Sequence, residues 1–200
     1  MALVKLIESG YGQVELNQVA FRRDGRIEAQ CALDGSTVGF GTTAHPYAEN
    51  GMILVVDNIQ RKIKLPNGVD STITADNDAA GTIYGLNYST EHMYDERANG
   101  LKDFKLGVGD FYPRIGYLSI GDKFTTNSVI YDTDTYADLA AVKTAVAALA
   151  TTPIYGVPCS DGYIKLVTEI PEAATLVLKV IKGTTMPDGQ YALKFQVVKE

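Results

Sequence analysis

Residues 175–199 read TLVLKVIKGTTMPDGQYALKFQVVK, and this stretch decides the fold class. Apolar and polar side chains alternate on both sides of the pair Asp188-Gly189, which is the pattern of a β-strand with one buried face. An Asp-Gly pair favours a tight turn, because both residues adopt positive φ angles at low cost. We therefore expect two antiparallel strands over 175–182 and 190–199, the first ending at Gly183. Their buried faces are formed by Leu176, Leu178 and Val180 in one strand and by Tyr191, Leu193, Phe195 and Val197 in the other.

The same alternation recurs over most of the chain, and turn pairs such as Asp24-Gly25 and Asn67-Gly68 separate the alternating segments. Strands of four to ten residues bounded by such turns are typical of antiparallel sheets. Further strands are predicted over residues 14–21, 26–33, 52–56, 59–65, 82–88, 111–120, 123–131, 154–158 and 163–169.

A single helix is predicted near residues 135–150. Thr135 followed by Asp138 has the spacing of a capping box, and Pro153 follows the end of the pattern. Apolar residues at spacings of three and four form one face of this helix, namely Tyr136, Leu139, Val142, Val146 and Leu149. The predicted fold is mostly β, with antiparallel sandwich or barrel-like sheets and this one helix.

The helix divides the sequence into three regions. Residues 1–131 form a β-rich main domain, residues 132–152 a helical connector, and residues 153–200 a small C-terminal β-module. From the sequence alone, that module either stands by itself or completes the larger sheet.

Charge and hydropathy argue against several functions. The formal net charge is −6, and the longest cationic cluster, Arg22 to Arg26, is interrupted by Asp24, so no nucleic acid partner is expected. No stretch approaches the ~18 consecutive apolar residues of a membrane helix. The apolar stretch at the start ends at Glu8 and is too short for an export signal, so we expect synthesis in the cytoplasm and no membrane partner.

Residues that carry chemistry are few. His45 and His92 are the two histidines, and neither lies near Cys31 or Cys159 in the sequence. No nucleophile elbow, phosphate-binding glycine loop or zinc spacing occurs, so we predict no enzyme, no cofactor and no metal. Both cysteines lie in apolar runs and are interpreted as small buried hydrophobes. The aspartates of 132–138 and of 76–78 are interpreted as turn and cap residues, because neither segment has the glycine and glutamate of a calcium loop.

Tyrosines are abundant around a charged segment, residues 91–104. They either become half-buried at sheet edges or form an interface with another molecule, since tyrosine is enriched at both. This group comprises Tyr84, Tyr88, Tyr94, Tyr112 and Tyr117.

Three stretches of the chain resemble small virion proteins of tailed phages, including head decoration (cement) proteins. They are ESGYGQVELNQVAFRRDGRIEAQCAL at residues 8–33, NYSTEHMYDERANGLKDFKLGVGDFYPRIGYLSIGDKFTTN at residues 87–127 and TTMPDGQYALKFQVV at residues 184–198. The resemblance implies a non-enzymatic role on the capsid surface of a virion. The implied partners are the major capsid protein and further copies of this chain.

Two segments are expected to contact such partners. The alternating segment 2–8 would pair with a capsid strand through Leu3, Val4, Lys5 and Leu6. Deleting it is expected to abolish capsid binding while leaving the protein folded. The charged segment would supply polar contacts at the rim through Glu91, His92, Tyr94, Glu96 and Arg97.

A hydrolase that uses paired carboxylates remains an alternative, because the separation of carboxylates cannot be read from a sequence. Two non-enzymatic functions also remain open at this point. A tail-tube or head-completion subunit would also be rich in β-strands with one helix. A carbohydrate-binding surface module would use the tyrosines as stacking platforms, although the absence of tryptophan weighs against it.

Overall fold

A computed structural model describes residues 2–8, 11–15, 31–67, 82–89, 105–110 and 113–200. The described residues contain twelve strands and one helix. The strands are β1 (Leu3–Lys5), β2 (Ala32–Leu33), β3 (Ile53–Asp57), β4 (Lys62–Lys64), β5 (Ile83–Asn87), β6 (Ile115–Tyr117), β7 (Lys123–Thr126), β8 (Val129–Asp132), β9 (Tyr155–Pro158), β10 (Ile164–Val167), β11 (Val177–Thr185) and β12 (Tyr191–Lys199), and the helix is α1 (Leu139–Ala147).

The strands form two sheets. The larger sheet has seven strands in the order β1-β8-β10-β9-β11-β12-β7, and the smaller has five in the order β2-β4-β3-β5-β6. Neighbouring strands are antiparallel except for β8 with β10 and β2 with β4, which are parallel. The mostly-β class with one helix is therefore confirmed. The sheets are mixed, and neither closes into a barrel among the described strands.

The hairpin β11–β12 forms as the alternation predicts, with Val180 opposite Phe195. The expected end of the first strand at Gly183 is wrong, since β11 continues to Thr185. A Cβ atom at Gly183 would overlap the hydroxyl of Tyr191 on β12. Glycine at this position therefore makes room for a cross-strand aromatic ring and does not interrupt the strand.

The predicted strand over 123–131 is in fact two strands, β7 and β8, which lie in different parts of the large sheet. Where the strand breaks, side chains form hydrogen bonds with the N–H groups of the backbone. The Oδ1 atom of Asn127 accepts a hydrogen bond from the N–H of Gln13 at 2.6 Å, and the N–H of Ser128 donates to Oγ1 of Thr126 at 3.0 Å. The local bond between Ser128 and Thr126 competes with strand pairing, and the long-range bond from Gln13 occupies Asn127, so β7 ends here.

The helix begins later than predicted. Its N-cap is Asp138, whose Oδ1 atom accepts a hydrogen bond from the N–H of Ala141 at 2.8 Å, so Thr135 lies outside it. The N–H groups of Thr135 and Tyr136 instead bond to the carbonyl oxygen of Asp132 and form a turn. The buried face of α1 is as predicted, with Val142 and Val146 in the core. Among the described residues, no helix has the length and apolar character needed to cross a bilayer.

The large sheet is packed on both faces. One face carries the core cluster that includes α1, with Leu178, Phe195 and Val142 among its buried members. Ile53 of β3, in the smaller sheet, belongs to this cluster as well. On the other face of the large sheet, Ile130 of β8 packs in the same cluster as Leu54 of β3, so the smaller sheet contributes to both clusters. Strands β9–β12, from residues 153–200, are hydrogen-bonded to β7 and β8, so they lie in the same sheet as strands of residues 1–131.

Candidate functional site

Strand β1 lies at one end of the seven-stranded sheet. It pairs antiparallel with β8, with Val4 opposite Tyr131. The carbonyl oxygen of Ala2 accepts a hydrogen bond from the N–H of Thr133 at 3.0 Å. The N–H of Leu6 donates one to the carbonyl oxygen of Val129 at 2.7 Å. Because bonding directions alternate along an antiparallel strand, the backbone groups of residues 3 and 5 point away from β8. In the described part of the chain, no strand pairs with this outer edge.

The side chains of β1 are also accessible. Leu3 is 42% exposed and Val4 is 37% exposed, and they lie on opposite faces of the strand. An edge strand with free backbone groups and exposed aliphatic side chains is a template for pairing with another chain.

The structure corrects the interpretation of Leu6. Its side chain is 1% exposed and belongs to the core cluster around α1, so a partner does not reach it. Segment 2–8 is therefore part of the fold and not a free arm. Deleting it would remove β1 and open the core at Leu6, so we now expect this deletion to destabilise the fold as well as to remove the docking strand.

The other predicted contact residues fall outside the described residues. These are Glu91, His92, Tyr94, Glu96 and Arg97. Among the tyrosines near that segment, Tyr84 is buried and its hydroxyl lies 2.7 Å from Oγ1 of Thr175. Tyr88 and Tyr117 are half-buried against the two core clusters, as the sheet-packing interpretation expects, whereas Tyr84 is fully buried on β5, between β3 and β6. Tyr112 lies outside the described residues.

A cavity of about 250 Å³ lies beside β1, and Lys5 extends from the strand into its wall. The other walls come from the loop before β3 and from the turn before β10. The lining residues are Lys5, Phe40, Ala44, His45, Pro46, Tyr47, Glu49, Met52, Asp161 and Tyr163. The ring of Tyr47 is also contacted by Lys105, whose Nζ atom is 4.5 Å from the ring centroid.

A chain of hydrogen bonds crosses this cavity. The Nζ atom of Lys5 donates to the hydroxyl of Tyr163 at 2.7 Å and lies 4.1 Å from the centroid of its ring. The hydroxyl of Tyr163 donates in turn to Oε2 of Glu49 at 2.8 Å. Glu49 is only 4% exposed, so its carboxylate depends on such partners. Lys5 supplies the compensating positive charge through one intervening hydroxyl.

Gly12 brings a second donor to the same carboxylate. Its N–H lies 3.1 Å from Oε2 of Glu49. A Cβ atom at this position would lie 2.6 Å from the carbonyl oxygen of Asn50, which is a steric overlap, so only glycine allows the backbone to come this close. Glu49 therefore anchors the N-terminal segment twice, directly through Gly12 and indirectly through Lys5.

The hydroxyl of Tyr163 and the two cysteine thiols keep their protons near neutral pH. Burial, and then the neighbouring charge of Glu49, raise the pKa of Tyr163 far above its usual value, so its hydroxyl remains a donor. Burial raises the pKa of Cys159 to about 11, and burial also raises the pKa of Cys31. Both cysteines are free and buried, as predicted.

Asp161 gives the cavity its excess charge. Its Oδ1 atom accepts a hydrogen bond from the N–H of Tyr163 at 3.2 Å, which shapes the turn before β10. No lysine or arginine of the described residues forms an ion pair with it. Since Lys5 and Glu49 offset each other, Asp161 is the carboxylate of the lining that no lysine or arginine of the described residues balances.

No metal site accompanies these groups. The described residues contain no cluster of three or more histidine, cysteine, aspartate or glutamate side chains arranged to hold an ion. The aspartates of 132–138 act as the sequence analysis predicts. The Oδ1 atom of Asp132 accepts from the N–H of Asp134 at 3.0 Å in a turn, and Asp138 caps α1.

Sequence reasoning identified Lys5 as a contact residue but did not connect it with Glu49, Asp161 and Tyr163. More than 100 residues separate Tyr163 from each of its two hydrogen-bond partners in the cavity, Lys5 and Glu49. No local pattern links residues so far apart in the chain.

Comparison with known proteins gives no relative for this chain. No family model matches it, and neither curated proteins nor solved structures yield a match.

Proposed function

We propose that this chain is a decoration (cement) protein of a tailed-phage capsid, which binds the major capsid protein and stabilises the head. The observation that carries the proposal is the outer edge of β1, which offers backbone groups and exposed aliphatic side chains next to an ordered sheet. The resemblance of three stretches to phage virion proteins supports the same assignment.

Binding at this edge works by strand addition. The N–H and C=O groups of Leu3 and Lys5 can form four main-chain hydrogen bonds with an extended segment of the capsid protein. Burial of the Leu3 and Val4 side chains adds an apolar contribution on each face of the new strand. The added strand extends the seven-stranded sheet by one.

The size of this contact indicates how the protein is used. Four hydrogen bonds at about 0.5–1.5 kcal/mol each give roughly 2–6 kcal/mol, whereas association costs about 4–15 kcal/mol in lost freedom of motion. Strand addition alone therefore gives weak binding. Several linked copies on a symmetric capsid gain affinity without any new kind of contact, so we include copies of this chain among its partners.

The polar groups near β1 are consistent with a structural role. The hydroxyl of Tyr163 is hydrogen-bonded to both Lys5 and Glu49, and Tyr163 and Cys159 hold their protons near neutral pH. They fix the position of β1 relative to the body of the protein.

The proposal is tested with capsids assembled without this chain. Purified protein is added at increasing concentration, and its sedimentation with the particles is measured. Saturable binding at a fixed number of copies per capsid, with a rise in the melting temperature of the particles, is the expected result. Absence of sedimentation at all concentrations, or assembly of the protein into tubes or rings without particles, contradicts it.

A further inference from the structure

Lys5 belongs both to the proposed docking edge and to the cavity. Its backbone groups point outward from β1, while its side chain reaches Tyr163 in the cavity wall. A residue directly opposite Lys5 on an added strand would place its Cβ atom about 4.5–5.5 Å from that of Lys5, on the same face of the sheet. The side chain of that residue would therefore lie at the cavity.

The cavity has room for one side chain. Its volume of about 250 Å³ lies below the ~300–1,000 Å³ typical of pockets for drug-sized ligands. Phe40 and Met52 provide apolar walls against which the methylene groups of a long side chain can pack.

The charge of the lining selects the type of side chain. The positive charge of Lys5 is balanced by Glu49 through the hydroxyl of Tyr163. Asp161 accepts hydrogen bonds from the N–H of Tyr163 and from the thiol of Cys159, but it has no ion pair with any lysine or arginine of the described residues. Lys105 lies over the ring of Tyr47 and is not one of the residues that line the cavity. An acidic side chain would meet two carboxylates here, whereas a basic one would meet an aspartate that forms no ion pair within the described part of the chain.

We infer that the strand bound at β1 carries an arginine or a lysine whose side chain enters this cavity and pairs with Asp161. The inference rests on the proposed function and deepens it. Main-chain hydrogen bonds at β1 can form with a partner strand of any sequence. The cavity adds specificity, because it favours a partner segment with a basic residue at one position.

The test compares charge variants of Asp161 for binding to capsids assembled without this chain. Asp161→Asn keeps an oxygen that can accept the Tyr163 N–H, so the turn is retained and only the charge is removed. We expect this variant to bind at least about tenfold more weakly, the loss typical of one charge-assisted hydrogen bond. Asp161→Lys is expected to bind still more weakly, because it repels the basic side chain. The matched control, Glu172→Gln, removes one exposed carboxylate and is expected to bind like the wild type.

The outcomes separate the two proposals. If wild type and Asp161→Asn bind equally well, the basic side chain is contradicted while the docking function stands. If the wild type does not bind, the docking function itself is contradicted, and the inference with it. Should Asp161→Asn prove unstable, a map of the capsid with wild-type protein decides the matter. An arginine or lysine in the cavity supports the inference, and any other side chain there overturns it.

Discussion

The hydroxyl of Tyr163 donates a hydrogen bond of 2.8 Å to Oε2 of the buried Glu49, and it accepts one from Lys5 on β1. This single hydroxyl thus connects the edge strand of the large sheet, the loop before β3 and the start of β10. It holds the strand that we propose as the docking edge in a fixed position. A buried carboxylate with two donors and a nearby positive charge is stable, whereas the loss of one donor leaves it partly unsatisfied.

Tyr163→Phe tests this connection. The variant removes the donor to Glu49 and the acceptor for Lys5 while keeping the ring that packs in the core. We expect the free energy of unfolding to fall by about 1–3 kcal/mol, the cost of leaving a buried polar group unsatisfied. Urea denaturation measures the change. Tyr47→Phe, which alters a second tyrosine of the same cavity, serves as the control and is expected to change stability by less than about 0.5 kcal/mol.

Leu6 and Leu3 are expected to differ sharply when each is changed to alanine. Leu6 is 1% exposed, so Leu6→Ala should cost about 2–5 kcal/mol through the cavity it leaves in the core. Leu3 is 42% exposed, so Leu3→Ala should change stability by no more than about 0.5 kcal/mol. Thermal denaturation of the two variants compares them directly. Equal losses would show that β1 is not held in the sheet as described.

Proline substitutions separate docking from folding. The N–H of Leu3 points away from β8, so Leu3→Pro removes an outward donor and no bond within the sheet. We expect a folded protein that binds capsids at least about tenfold more weakly. The lost hydrogen bond and the blocked edge together should cost more than about 1.4 kcal/mol of binding free energy. Val4→Pro, in contrast, removes a bond to Tyr131 and should lower stability. Unchanged capsid binding by folded Leu3→Pro would rule out docking at this edge.

A second docking variant adds charge to the edge without altering the backbone. Leu3→Lys replaces a 42% exposed leucine, and Ile170→Lys replaces a 45% exposed isoleucine in the loop between β10 and β11. Sedimentation with capsids is expected to weaken for Leu3→Lys and not for Ile170→Lys, because a charged side chain blocks strand addition only at the edge. Equal behaviour of the two variants would contradict the assignment.

Cys159 gives a prediction for alkaline pH. Burial raises the pKa of its thiol from 9.0 to about 11. Above pH 9 the unfolded chain loses this proton while the folded chain keeps it, so unfolding becomes more favourable as the pH rises through 11. We expect the free energy of unfolding, followed by urea denaturation, to decline over this range. Cys159→Val should show a shallower decline, the remainder coming from Tyr163 and other tyrosines, and identical slopes would contradict the burial of the thiol.

Local patterns predicted the parts of the fold that depend on neighbouring residues. The hairpin β11–β12 followed from alternation around Asp188-Gly189, and the buried face of α1 followed from helical spacing. The start of α1 was misplaced because the carbonyl oxygen of Asp132 accepts the N–H groups of Thr135 and Tyr136 in a turn, and Asp138 caps the helix instead of Thr135. The break between β7 and β8 was missed because Asn127 bonds to Gln13, a residue 114 positions away.

The cavity could not be predicted from the sequence, because the residues that form it are also far apart in the chain. Lys5 and Tyr163 are 158 positions apart, and only the pairing of β1 with β8 and of β8 with β10 brings them together. Leu6 was misassigned because the alternation of segment 2–8 does not reveal that its own chain provides the pairing partner. An exposed arm and a docked edge strand have the same local pattern.

The most direct test of the account is an electron-microscopy map of capsids decorated with this protein. Main-chain density of a capsid segment should run alongside β1 at the ~4.8 Å spacing of paired strands, with hydrogen bonds to Leu3 and Lys5. Capsid contacts made elsewhere on the protein, with the outer edge of β1 facing solvent, would contradict the account.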